Sequence, residues 1–387
     1  MSGPLSGFRV IELAGIGPAP FCGMMLGDMG ADVIRIERMG VALERDPAKD
    51  PLLRNRRSIA LNLKHSDGIE TALRLVGTAH VLIEGYRPGV TERLGLGPDV
   101  CLTRNPRLVY GRMTGWGQNG PLASVAGHDI NYIALSGTLH LIGPAGGKPT
   151  PPLNLIGDFG GGGMLLLSGV LAALLEANKS GRGQIIDAAM VDGAVALMGM
   201  MFALRADGYF RDATGENSFA GGAPFYDTYE TLDCKYISIG ALEPQFYALL
   251  LQKLGLSDEA ELQGLGIVSI GDANARTRWP ALRRALQRVF KTRTREEWRN
   301  VLEGSDVCFA PVLTLEEAEH HPHNVARQTF IEVSGVAQNA PAPRFSRTPA
   351  STPTPGHAAG LDTEAVLLEA GLTSAEYQRL RTAGVVG

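Results

Sequence analysis

Phe8-Arg9-Val10-Ile11-Glu12-Leu13, a segment over residues 18–30 that opens Pro18-Ala19-Pro20 and closes on Gly30, and Asp32-Val33-Ile34-Arg35-Ile36-Glu37 together decide the fold. The two outer runs are short, apolar and rich in β-branched residues, as strands are. The middle run is longer, with proline near its start and glycine at its end, as helices are. The same alternation continues outward. Residues 67–78 read as a helix with Asp67 as N-cap. Residues 80–85 (HVLIEG) and 108–113 (LVYGRM) read as further strands. Strands alternating with helices imply an α/β fold, a Rossmann-like parallel sheet covered on both faces. Ligands of such sheets sit beyond the carboxyl ends of the strands.

Farther along, residues 127–142 read as helical, and a helix opening at Asn154-Leu155-Ile156-Gly157-Asp158-Phe159 runs to about residue 178. Another apolar helix is expected over 188–207, followed by a polar linker over 211–222. Beyond Phe225 the pattern changes to a strand at 236–240 and helices at 244–254, 280–290 and 294–303. The expected organisation is a large domain over 1–188 completed by about 330–387, a linker helix and loop over 189–222, and a smaller α+β domain over 223–329. Residues 340–355, rich in Pro, Ser and Thr, read as an extended crossing segment, and residues 363–370 as a last helix.

The chain has 387 residues, enough to bury a large core without staples. Its formal net charge of -4 argues against a general nucleic-acid binder, though not against a local basic patch holding one small polyanion. Cys22, Cys101, Cys234 and Cys308 are scattered and form no CxxC pair, so neither a zinc site nor a disulfide framework is expected. The most apolar run, residues 160–175, falls short of the ~18 residues a membrane span needs. Residues 1–6 carry no signal-peptide pattern and residues 383–387 no peroxisomal address, so a cytoplasmic protein with no membrane partner is the expectation.

Three residues could move protons. His128 follows Gly127 at an expected helix start, where the helix N-terminus favours the neutral imidazole that suits a base; a capping or buried histidine is the other reading. Asp158 precedes four glycines, poor helix formers whose presence suits close approach of a ligand; an N-cap aspartate is the alternative. Glu243 sits between a strand and a helix, either a functional carboxylate or an exposed helix-start residue. Arg38, Arg54, Arg56, Arg57, Lys64, Arg87 and Arg93 fall at or near strand ends, the right edge of the sheet for an anionic ligand, or else form a solvated patch. The glycine run is not a P-loop, since no Gly-Lys-Ser/Thr follows. His320, His321 and His323 read as surface residues, and no metal ligand set is expected.

Longer motifs then point to one family. They begin with Gly7-Phe8-Arg9-Val10-Ile11-Glu12-Leu13-Ala14 and Gly27-Asp28-Met29-Gly30-Ala31-Asp32. Glu84-Gly85-Tyr86-Arg87-Pro88-Gly89-Val90, Met113-Thr114-Gly115-Trp116-Gly117-Gln118 and Gly127-His128-Asp129-Ile130-Asn131-Tyr132 follow. The glycine-rich segment at 154–162, Glu243-Pro244-Gln245-Phe246-Tyr247 and Ala342-Pro343-Arg344-Phe345 complete the set. Over about residues 3–348 the chain resembles the family III CoA transferases, and within them the alpha-methylacyl-CoA racemases. The resemblance implies inversion of the alpha carbon of 2-methylacyl-CoA thioesters, with His128 and Asp158 as acid/base pair and Glu243 tuning His128. It implies CoA contacts at Arg38, Leu61, Asn62, Leu63, Lys64, Gly85, Tyr86, Arg87, Arg93, Gly127, Asp129, Ile130, Asn131 and Tyr132. No cofactor beyond the thioester's own CoA is implied. The partners implied are an acyl-CoA and a second copy of the chain, in an interlocked homodimer. Met39-Gly40, where relatives often carry proline, departs from the pattern beside the expected adenine pocket.

Overall fold

The computed structural model describes residues 2–40 and 45–387. They form two compact units: Met1–Ser136 with Leu153–Leu197 and Pro322–Gly387, and Gly137–Pro152 with Met198–His321.

The larger unit is built on six strands: β1 Arg9–Leu13, β2 Asp32–Arg38, β3 Arg56–Leu61, β4 Val81–Glu84, β5 Val109–Thr114 and β6 Gln184–Ala189. Every neighbouring pair is parallel, and the order is β3-β2-β1-β4-β5-β6. Between them run helices α1 Pro18–Asp28, α2 Ser66–Val76, α3 Val90–Arg93, α4 Pro98–Arg104, α5 Asp129–Leu135 and α6 Met164–Ser180, and α7 Met190–Leu197 follows β6. The direction of winding reverses between β1 and β4, so the crevice beyond those two strands is where a doubly wound sheet receives a ligand. One sheet face buries Ile11, Ile34, Ile59, Leu82 and Tyr110, the other Val10, Val33, Val81, Ile83 and Val109. That alternation explains why the strands are apolar throughout: both faces are covered.

The sheet also contains charge. Glu12 of β1 is fully buried and accepts from Arg35 and, at 2.7 Å, from Arg56 Nε. Arg54, 1% exposed, donates to Asp28 at 3.0 Å and to Gln338 and the Asn339 carbonyl at 2.8 Å each. Arg57 pairs with Asp32 and Glu369. Arg54, Arg56 and Arg57 are therefore structural cations, and three of the seven basic residues read as a possible anion patch are already spent.

Other expectations need correction. The N-cap of α2 is His65, whose Nδ1 accepts the Asp67 N–H, not Asp67 itself. Strands β3 and β6 replace segments not read as strands, and the helix expected over 188–207 is instead the end of β6, α7 and a separate helix, Gly199–Ala206. The helix expected over 127–142 is confined to α5 and a short turn at Leu139–Leu141. Residues 374–382 form a helix, and the chain end returns to the sheet edge, with Val386 bridging Leu61. Leu155–Ser180 is a continuous apolar helical run long enough by itself to cross a membrane, longer than the 160–175 segment suggests. Its apolarity serves the core: Leu166, Leu167, Val170, Ala173, Leu174 and Ala177 are buried with the sheet residues.

The smaller unit carries an antiparallel sheet of β7 Tyr226–Glu230, β8 Tyr236–Gly240 and β9 Phe309–Pro311. Its core is aromatic. Phe225 meets Trp279 edge-on at 5.5 Å, and Phe290 packs on Tyr229 and Trp298. The helices Pro244–Lys253, Trp279–Phe290 and Arg295–Leu302 lie close to the expected ranges.

Candidate active site

At the reversal point of the larger unit lies a cavity of about 610 Å³, a size suited to a small-molecule ligand. Its wall is made by the segments following β1 (Gly17, Pro18), β4 (Tyr86, Arg87) and β5 (Gly115, Trp116), together with His128 and Asp158. The loop after β4 is fastened from two sides: the Tyr86 N–H donates to Glu84 Oε2 at 2.7 Å, and the Tyr86 hydroxyl to the Ala14 carbonyl at 3.1 Å, across the crevice.

His128 is the N-cap residue of α5. Its N–H donates to Asn131 Oδ1 at 3.0 Å, which satisfies the backbone and leaves the imidazole on the cavity wall. The glycine before it serves a packing need. A Cβ on Gly127 would come within 2.7 Å of the Tyr132 ring, which stands edge-on to Trp116 at 4.7 Å. Gly127 thus makes room for Tyr132 on the cavity wall.

Asp158 is not an N-cap. It lies inside a π-helix, Leu155–Gly163, a geometry that concentrates at functional sites. The glycine run has a structural cause here as well. Gly161 passes so near α7 that a Cβ on it would sit 2.6 Å from the Ala194 nitrogen, and a Cβ on Gly193 would overlap the Gly161 carbonyl. Bare backbone at both positions lets the two helices touch, which gives these glycines a packing role.

The element between the two side chains is Asp129. This residue is buried, and its Oδ2 accepts the N–H of Gly157 at 2.6 Å and of Asp158 at 2.8 Å. Its Oδ1 is buried and has no hydrogen-bond partner among the described residues. The residue after His128 therefore grips the backbone of Asp158 directly. Those two N–H groups are occupied, so they are not open donors for an oxyanion. Burial raises the Asp158 carboxyl above its ordinary range; a 3.0 Å bond from Asn154 Nδ2 opposes this, the charge of Asp129 adds to it, and His128 opposes it. A carboxyl that holds its proton more tightly and an imidazole thus stand on the same cavity wall, two groups able to exchange protons with a bound ligand.

With that arrangement established, comparison identifies the chain. Residues 5–363 match the CoA-transferase family III. The chain belongs to that family. It is 44% identical over 384 residues to an alpha-methylacyl-CoA racemase of Mus musculus, covering 99% of this chain and 97% of that protein. It is 43% identical to the Homo sapiens protein of the same name, over 89% of this chain and 87% of the other. A CAIB/BAIF family protein from Brucella suis shares the fold, with a TM-score of 0.80 at 24% identity over 96% of this chain and 100% of that one.

In this family III chain the residues expected to contact CoA divide into two groups. Arg38, Lys64, Arg87 and Arg93 are exposed; Arg38 ends β2, and the other three follow the carboxyl ends of β3 and β4. Asn62, Leu63, Gly85 and Tyr86 lie on the same edge, while Ile130 and Asn131 are exposed on the first turn of α5. The side chains of Leu61 and Asp129 point into the protein, and Tyr132 is largely buried with its hydroxyl on the Gly127 carbonyl. Leu61 and Asp129 can offer a ligand little beyond backbone, whereas Tyr132 also lines the cavity. Among the described residues lining the cavity, Arg87 is the one permanent cation. Glu243 belongs to the smaller unit, as N-cap of the Pro244–Lys253 helix, and its charge helps to raise the pKa of the Cys308 thiol after burial. Among the described residues no cluster of three His, Cys, Asp or Glu could hold a metal ion.

Asp129 and the Asn154–Asp158 bond were missed as positioning elements by sequence reasoning. The only signal was an acidic residue directly after the candidate base, which also reads as an ordinary first-turn helix carboxylate.

Proposed function

We propose that the chain racemises 2-methylacyl-CoA thioesters at the alpha carbon by proton transfer through an enolate. The observation that carries this reading is an imidazole and a raised-pKa carboxyl on the wall of one cavity, at the ligand-binding edge of the sheet. His128 removes the alpha proton of one epimer and Asp158 returns a proton to the opposite face; the reverse reaction exchanges the roles. Each group is assigned roughly 10² to 10⁴ of the rate. The phosphates of CoA are assigned to Arg38, Lys64, Arg87 and Arg93. Glu243 is assigned to tuning His128, from the same chain or from a second copy. Protein side chains carry out the proton transfers, with no further cofactor. A homodimer is also proposed; exposed Leu135, Leu155, Leu175 and Leu197 on the larger unit are apolar surface that a second copy could cover.

Family membership favours one competing chemistry, in which Asp158 attacks the thioester carbonyl and CoA passes to a free carboxylate. The decisive experiment supplies one epimer of a 2-methylacyl-CoA with and without a carboxylate acceptor. Racemisation supports equal epimers in both mixtures and no new thioester. Acceptor-dependent formation of a second thioester, with the epimer unchanged, refutes it.

A further inference from the structure

We infer that the smaller unit carries its own polyanion site: a groove of about 900 Å³ that takes a compact diphosphate through Arg211, Arg276 and Arg284. The groove is bounded by the Gly143–Ala145 turn, by Gly215 and Glu216, and by the start of the Trp279–Phe290 helix. All of these belong to the smaller unit, and none takes part in the chemistry proposed above.

Four arginines face this groove, and they are not equivalent. Arg283 is used internally: it pairs with Asp227, and its other nitrogen donates to the carbonyls of Gly221 at 2.8 Å and Gly222 at 3.1 Å. Arg211 shares Glu216 at 3.0 Å but is half exposed, so its remaining donors face solvent. Arg276 has no carboxylate partner among the described residues; it stacks over the Trp279 ring, 5.0 Å from its centroid. Arg284 likewise has none. Two carboxylates, Glu216 and Asp227, thus face four guanidiniums.

Burial, and then the charge of Arg211, press the pKa of Arg276 below its ordinary value, while Glu216 opposes this. Holding like charges together over an apolar ring is unfavourable unless an anion neutralises them. The guanidinium fork is the group that binds phosphate oxygens two at a time. Stacking on Trp279 fixes the Arg276 plane in advance, so little side-chain freedom remains to be lost on binding. Two unmatched guanidiniums with a third partly free suit a ligand with at least two adjacent negative groups better than a single orthophosphate.

The test is calorimetric titration of the full chain with inorganic pyrophosphate at fixed ionic strength. Pyrophosphate could also occupy the proposed CoA phosphate site in the larger unit, so the same titration is run on Arg87→Gln. Saturable binding is expected in the wild type and in Arg87→Gln, with Kd raised at least tenfold in Arg276→Gln/Arg284→Gln. Orthophosphate should bind at least tenfold more weakly than pyrophosphate. The double variant should retain wild-type acyl-CoA turnover, because neither residue is placed in the thioester site. The inference is overturned by any of three results: no saturable binding at millimolar pyrophosphate, an unchanged Kd in the double variant, or loss of all binding in Arg87→Gln. Equal affinity for orthophosphate overturns the diphosphate assignment.

Discussion

Replacing Asp129 tests whether one buried carboxylate couples His128 to Asp158. Its Oδ2 accepts two backbone N–H groups, at 2.6 and 2.8 Å from Gly157 and Asp158. Asp129→Ala leaves both donors without a partner, at about 1–3 kcal/mol each. The ceiling is therefore about 6 kcal/mol. Relief of a buried charge whose Oδ1 has no partner offsets part of this, so a net loss of about 1–4 kcal/mol is expected. Asp129→Asn keeps an oxygen for the two donors and removes only the charge. It should fold within about 1–2 kcal/mol of the wild type, since neutral hydrogen bonds are roughly half as strong as charge-assisted ones.

The two variants separate packing from electrostatics in the pH–rate profile. The negative charge of Asp129 raises the Asp158 pKa, so removing it must lower that pKa. Where Asp158 acts as base it must be ionised, and the acid limb moves to lower pH. Where it acts as acid it must be protonated, and the alkaline limb moves to lower pH as well. Urea unfolding and kcat/KM profiles in both directions measure this. An Asp129→Ala variant as stable as the wild type, or an Asp158 limb in Asp129→Asn that stays put or moves upward, would refute this role for Asp129.

Other outcomes follow from the same geometry. Asp158→Asn should abolish turnover yet raise Tm at neutral pH; the raised folded-state pKa means that ionising this carboxyl costs stability as pH rises through it, so the gain should vanish near pH 3 in a melting series. Asp28→Ala strands the buried Arg54 charge and should cost about 3–5 kcal/mol in denaturant titration, with CoA affinity in the remaining folded protein unchanged. Gly193→Ala forces α7 off the π-helix and should cost about 1–3 kcal/mol together with a fall in kcat, whereas Gly199→Ala, which meets nothing, should be neutral in both assays.

The parallel sheet was legible because Val10, Ile11, Ile34, Val81 and Leu82 lie in short runs buried on both faces, which leaves a plain apolar signature. Strand β3 was hidden by Arg56 and Arg57, which look like surface until Glu12 and Asp32 are placed beside them by the fold. Strand β6 is an edge strand with Gln184, Ile185 and Asp187 exposed, so it lacks a buried pattern. His128 and Asp158 could be named from their motifs, but their physical context could not. Asp129 acts across 28 residues of sequence, and Gly161 meets Gly193 across another helix; both contacts exist only once the chain is folded. The arginines mislead for the same reason, since local pattern cannot tell a guanidinium buried on Asp28 from one facing solvent.

The proposed mechanism needs two proton-transferring groups acting on opposite faces of one carbon. A single epimer of 2-methylacyl-CoA incubated in D₂O and sampled at low conversion tests this directly. A two-base path predicts deuterium in the inverted product and little in the recovered starting epimer, with inversion lost in His128→Ala and in Asp158→Ala. Equal deuterium in both epimers at early times, or inversion that survives either substitution, would contradict it.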